Sequence, residues 1–278
     1  MKKLFISLML ILFTIPIHTK ISTPKVPQKV SEFFARSKEE ISHHEFNNVQ
    51  KVHIECSDCT ITTETWKQPC TLIEIHKKGK THFCENCTLK HQQKDGNLHA
   101  ICAMQNPKIK GHLKIHVLTP EHTPIQISNK HGSIVIKNHN GPLDLSTEFG
   151  NITITGGNNT AIAKTLHGNI TVQRKKMLNG HCLNLQAEHG NITLMVPQDF
   201  NADMQAHTQY GKIESALFIS LQPYTTLINY DFFKYIQNNI HGWIGQPQNN
   251  SDNCTALLCS KYGTIKIMPY QTKTPSKK

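Results

Sequence analysis

A hexapeptide recurs along this chain: HGSIVI at His131, FGNITI at Phe149, HGNITV at His167, HGNITL at His189, YGKIES at Tyr210 and YGTIKI at Tyr262. The shared form is a ring, Gly, a small polar residue or Lys, Ile, any residue, then usually an apolar one. The five glycines from Gly132 to Gly211 are spaced 18, 18, 22 and 21 residues apart. A short, near-fixed period of this kind marks a stacked repeat architecture. In each unit the glycine tolerates φ > 0 at a turn, and the Ile pair falls on one strand face because side chains alternate. A weaker strand lies halfway through each period, at 142–146, 160–164, 182–186 and 202–206. Eighteen residues cannot hold two strands and a crossover helix as well, so βαβ units are excluded. The expectation is an all-β chain: a β-solenoid, β-helix-like, with short stacked strands and ~18–22 residues per coil, preceded by a degenerate β region.

Stacking equal positions makes columns. The residue before each glycine gives His131, Phe149, His167, His189 and Tyr210; the residue after it gives Ser133, Asn151, Asn169, Asn191 and Lys212, of which the three Asn form a ladder. Both columns read first as turn and stacking residues, with the Asn side chains sharing amide hydrogen bonds between coils. The alternative is a surface ladder that reads a ligand. The neighbouring His167 and His189 are a weak metal pair, since no carboxylate or Cys pattern accompanies them. The Asn-x-Thr triplets also match the glycosylation acceptor pattern, but their place in the repeat explains them.

The chain opens with Lys2 and Lys3 followed by an apolar run to Ile17, the layout of a signal peptide over 1–19. Residues 20–46 read as a linker with a short helix near 31–41, 47–270 as one elongated domain, and 271–278 as a disordered basic tail. Within the domain, 49–127 is the degenerate part, 130–215 the regular repeats, 216–241 an aromatic insertion and 242–268 the closing coil. Short strands are expected at 60–66, 71–76, 97–103, 112–118 and 125–128, with no helix between 49 and 127. In the insertion, Ile228, Phe232, Ile236 and Ile240 fit a helical stripe, and the segment reads as a cap over open strand edges or as a docking patch.

The order of these pieces resembles the toast-rack family, also called the putative-adhesin family, of exported bacterial β-solenoid domains. The match runs over 49–268: a strand-turn-strand ending in Trp66, a strand pair like 96–102, an amphipathic strand and Pro turn at 113–120, and tandem Gly repeats from Lys130. It closes on Gly242-Trp243-Ile244-Gly245, a strand at 255–259 and a last Gly repeat at 262–267. Ring-Gly-Asn replaces the family's Ser-Gly-Asp turns, cysteines occupy some turn and strand positions, and the aromatic insertion is extra. The resemblance implies a β-helix-like fold and an exported or surface location, and it carries no catalytic residues.

Nine cysteines in an exported chain imply disulfides. Cys56-Ser-Asp-Cys59 and Cys84-Glu-Asn-Cys87 read first as bridge members, with a zinc site of four thiolates as the alternative. The net charge is +11, yet the repeat region 130–215 carries only +1 of it, so a concentrated nucleic-acid footprint is lacking and membrane contact is at most peripheral. No nucleophile elbow, P-loop, metalloprotease helix or dinucleotide fingerprint occurs. Catalytic residues, cofactors and a metal are therefore not expected. The reading is an exported, non-enzymatic surface-interaction or scaffold protein in the periplasm, on the cell surface or secreted, whose partner is a surface glycan or a protein. A periplasmic sensor or accessory domain is the second reading, and a carbohydrate-active β-helix enzyme the third.

Overall fold

The computed structural model describes residues 37–104, 106, 109–176, 180–221, 238–245 and 254–270. The signal peptide, the first part of the linker, the basic tail and most of the aromatic insertion, including Ile228, Phe232 and Ile236, lie outside these residues. The strands are β1 (Lys38–Phe46), β2 (Lys51–Asp58), β3 (Thr60–Trp66), β4 (Thr71–Gly79), β5 (Cys87–Lys94), β6 (Asn97–Met104), β7 (Gly111–Pro120), β8 (Ile125–His131), β9 (Ile134–Lys137), β10 (Leu143–Phe149) and β11 (Ile152–Thr155). They continue as β12 (Ala161–His167), β13 (Ile170–Gln173), β14 (Cys182–His189), β15 (Ile192–Val196), β16 (Ala202–Thr208), β17 (Ile213–Ser215), β18 (Ile219–Leu221), β19 (Asn239–Ile244), β20 (Thr255–Ser260) and β21 (Ile265–Pro269). One helix, α1 (Thr81–Asn86), joins β4 to β5.

The protein is all-β, with two mixed sheets, neither closed into a barrel. The first runs β1-β4-β7-β3-β9-β11-β13-β15-β21-β17 and the second β18-β19-β16-β20-β14-β12-β10-β8-β2-β6-β5. Each repeat gives one strand to each sheet. Like strands pair in parallel with equal motif positions aligned: Ile152 lies between Ile134 and Ile170, and Phe149 between His131 and His167. The Ile pairs therefore stack into one core. Ile134, Ile136, Ile152, Ile154, Ile170, Val172, Ile192, Leu194, Ile265 and Ile267 are all 0–1% exposed, each burial worth about 1.5–3 kcal/mol.

The repeat glycines are needed mainly for close approach. A Cβ on Gly150, Gly168 or Gly190 would overlap the carbonyl oxygen of the glycine one repeat earlier, and one on Gly263 that of Gly190. That oxygen accepts a buried hydroxyl hydrogen bond in most repeats: from Thr147 to Gly132 at 3.3 Å, Thr165 to Gly150 at 3.0 Å and Ser260 to Gly190 at 3.0 Å. Positive φ, the reason read from the motif, holds at Gly132 (117°) and is not shared by Gly150, Gly190 or Gly263.

Four expectations need correction. Residues 38–46 of the supposed linker and helix are strand β1, antiparallel to β4; an edge strand needs backbone partners more than an apolar stripe. A helix does occur before residue 127: α1 buries Phe83 and Cys84, and Phe83 fills the space over the facing glycines Gly79 and Gly111. Six residues are too few to show a helical period. Ile240 lies in β19, paired antiparallel with β16, because there it meets a partner strand and a buried face. Finally, the last repeat in sequence is not last in space. Strands β20 and β21 sit between β14/β15 and β16/β17 in both sheets, so the segment that looked like a closing coil is an internal layer. Of the described ends of the insertion, β19 lies antiparallel along β16 and covers its edge, and β18 pairs antiparallel with β19 on the far side.

Candidate functional site

The ring positions form one exposed column. The order is His131, Phe149, His167, His189, Tyr262 and Tyr210, with successive centroids 4.6–5.0 Å apart and planes within 6–22°. The spacing is that of neighbouring strands, so the backbone imposes face-to-face stacking that free aromatic pairs avoid. Phe149, Tyr262 and Tyr210 are 44%, 46% and 65% exposed, and the three histidines are exposed as well. The sequence placed Tyr210 directly after His189. Tyr262 takes that place because β20 is inserted there, and its membership was signalled by its own Tyr-Gly motif. Since each flat face is covered by the next ring, the column offers ring edges: imidazole nitrogens, phenol hydroxyls and the Phe149 rim.

The Asn column is bonded differently from the expected amide-to-amide sharing. Asn151 Oδ1 accepts from the Asn169 backbone N–H, Asn169 Oδ1 from that of Asn191, and Asn191 Oδ1 from that of Thr264, each at 2.8 Å. The carboxamide oxygen closes the turn to the next repeat, leaving the amide nitrogen for outside contacts. His167 and His189 stack at 4.6 Å, and no metal-ligand group of three or more includes them among the described residues.

Next to the ring column, a groove of about 770 Å³ crosses the parallel strands of the second sheet. Glu55, Lys130, Glu148, Lys164, Glu188 and Lys261 line it. None of the groove's lysines was singled out from the sequence, because each sits at a variable repeat position and only the sheet register gathers them. Glu188 and Lys261 are joined at 3.0 Å; that hydrogen bond and charge hold the Glu188 carboxyl below its usual range and the Lys261 ammonium above its own. Lys261 Nζ also lies 5.4 Å from the Tyr262 ring centre.

The two C-x2-C motifs separate. Cys56 and Cys59 lie as a disulfide-like pair, with Cα atoms 6.4 Å apart. Cys84 and Cys87 are free thiols, and Cys87 Sγ lies 3.7 Å from Cys102 Sγ, both buried. The four motif cysteines form no metal-ligand group among the described residues. Cys84 lies within α1 and Cys87 opens β5.

No family model matches the sequence, and no curated protein matches it either. Solved structures do resemble the fold. A putative cell adhesion protein from Clostridium sporogenes superimposes with a TM-score of 0.50 at 12% identity, covering 84% of this chain and 100% of that one. A putative adhesin from Bacteroides fragilis gives 0.34 at 13% identity over 83% and 97%. A putative lipid binding protein from Parabacteroides distasonis gives 0.29 at 8% identity over 84% and 97%. Only the first of these three speaks for the fold. The resemblance read from the order of motifs is borne out to that extent.

Proposed function

We propose that the chain is an exported, non-enzymatic β-solenoid that works in surface interaction, with the ring column and the adjoining groove as its binding face. The observation that carries this reading is the exposed six-ring column on a rigid parallel stack. A chain that needed rings only to fill turns would bury them, whereas this one holds hydrogen-bonding edges in solvent at strand spacing. The groove beside it balances lysines against glutamates, which suits a neutral polar partner such as a surface glycan or a polar protein patch. A solenoid is supported by the regular exchange of strands between the two sheets and by the in-register motif positions. The cell-adhesion name of the Clostridium sporogenes structure agrees with the reading, as does the signal-like N-terminus. No helix among the described residues is long and apolar enough to cross a membrane.

The test is binding of the purified mature protein to a glycan array and to extracellular-matrix proteins. Saturable binding is expected, and a Phe149→Ala/Tyr262→Ala double variant should lose at least about tenfold in affinity, as for removal of interface anchors. Recovery of an inner-membrane protein by crosslinking, with no glycan or matrix binding, would favour the envelope-sensor reading. Release of reducing ends from a polysaccharide would favour the enzyme.

A further inference from the structure

We propose that His53, His99 and Glu55 form a site for one divalent transition-metal ion of the zinc class on the outer face of the second sheet. The site borders the proposed binding face through Glu55, but it stands on its own geometry and does not rest on the surface-binding reading. Strands β2 and β6 pair in parallel with His53 opposite His99, and the two rings stack at 4.5 Å with planes 12° apart. Glu55 lies two residues beyond His53 and so projects on the same face. Its Oε1 is 3.5 Å from His53 Nε2 and 3.1 Å from His99 Nε2. The three ligand atoms all lie within 4.8 Å of one another.

These separations suit a metal. With bonds of about 2.0–2.2 Å, adjacent ligands of a tetrahedral zinc ion lie about 3.3 Å apart, and the two nitrogen–oxygen distances bracket that value. Both imidazoles aim the same nitrogen at one carboxylate oxygen, His99 through a hydrogen bond and His53 at ion-pair distance, so an ion can sit among the three atoms, and a tilt of the stacked rings closes the remaining gap. Two neutral imidazoles and one carboxylate are ligands zinc accepts, and they leave a position for water or an outside donor. The three side chains are 29–44% exposed, so an ion reaches them from solvent. Val52, Ile54, Leu98 and Ala100, which alternate with them along the strands, are 0–1% exposed and fix the backbone that carries the ligands. Glu55 also lines the groove, which places the ion at the groove's end.

The first sheet supplies an internal contrast. There Glu74 meets His43 through Oε1 at 3.2 Å and His116 through Oε2 at 3.0 Å. These two rings approach different oxygens of the carboxylate, His76 Nε2 lies farther off at 3.9 Å from Oε2, and among the described residues no three ligand atoms here lie within 4.8 Å of one another.

The test uses the mature protein freed of metal with EDTA and titrated with Zn²⁺ against a chromophoric chelator, then with Co²⁺ as a visible probe. One equivalent should bind, and the Co²⁺ spectrum should be that of a nitrogen–oxygen site without thiolate charge transfer. His53→Gln and His99→Gln should each weaken binding at least about tenfold, the range seen when support to a metal site is removed. Glu55→Gln, isosteric and exposed, should weaken it without altering the CD spectrum, and His116→Gln should leave it unchanged. Absence of a bound equivalent, a thiolate spectrum, or wild-type affinity in the His53→Gln/His99→Gln variant would overturn the proposal.

Discussion

His189 stacks on Tyr262 with centroids 4.6 Å apart and planes 6° apart, although Tyr210 opens the next ring-Gly motif in the sequence. The stack therefore does not follow chain order. In chain order β16 and β17 come first, then β18 and β19, which pair antiparallel, and then β20 and β21, which sit between the earlier repeats and that layer. Strand β16 meets the repeats only through β20 among its described parallel pairings. Deleting residues 254–270 should leave β16–β19 without a parallel neighbour and remove four buried apolar side chains of β20 and β21, Ala256, Leu258, Ile265 and Ile267. At about 1.5–3 kcal/mol for each large one, the truncated protein should lose several kcal/mol, read as a lower urea midpoint, or fail to fold.

The glycine column makes a graded prediction. Gly190→Ala drives a Cβ into the Gly168 carbonyl oxygen, a backbone atom that cannot swing aside. A loss of more than about 3 kcal/mol is expected, in the range reserved for steric conflict within a core. Gly180 has φ of 78° but open space around its Cβ position. Gly180→Ala should cost about 1–2 kcal/mol, the left-handed backbone penalty alone. Urea denaturation of the two variants separates the effects.

His139 should set an acid limit on stability. Its ring is 1% exposed, Nε2 donates to the Thr123 carbonyl at 2.7 Å, and burial pushes its pKa down to about 4. An unfolded histidine titrates near about 6.5, so the unfolded chain binds the extra proton first. The contribution of His139 is thus fully present above about pH 6.5 and is lost as the pH falls toward about 4, amounting to about 3 kcal/mol. Arg174, buried nearby and hydrogen-bonded to the Gly156 carbonyl at 2.7 Å, opposes a second positive charge there. Denaturation midpoints of wild type and His139→Gln between pH 7 and pH 4 should converge as the pH drops.

A second bridge is within reach of oxidation. Cys87 and Cys102 present their sulfurs 3.7 Å apart in the core, whereas Cys84 directs its thiol toward the Lys38 carbonyl at 3.8 Å. Mild oxidation followed by peptide mapping should find Cys87 joined to Cys102. A Cys84–Cys87 link would contradict the geometry.

Much of the fold was legible because period-2 alternation and the ring-Gly motif are strong local signals. Ile152 and Ile154, or Val52 and Ile54, announce buried strand faces by themselves. What escaped depends on contacts distant in sequence. The motif at Tyr262 declared that this residue belongs in the column, but the motif carries no information on layer order. The same is true of Lys130, Glu148 and Lys261, which become one groove only through register, and of His99, which meets His53 across a strand pair. α1 and β1 were missed because one is a single short turn and the other is an edge held by backbone bonds.

The layer order is tested most directly with paired cysteines in the ring column. Parallel neighbours place Cα atoms close to about 4.8 Å apart, inside the 4.4–6.8 Å span that a disulfide bridges. His189→Cys/Tyr262→Cys should crosslink under mild oxidation, as mapped by mass spectrometry of non-reduced peptides, and His189→Cys/Tyr210→Cys should not. A crosslink between positions 189 and 210, with none between 189 and 262, would contradict the inserted layer and with it the six-ring face.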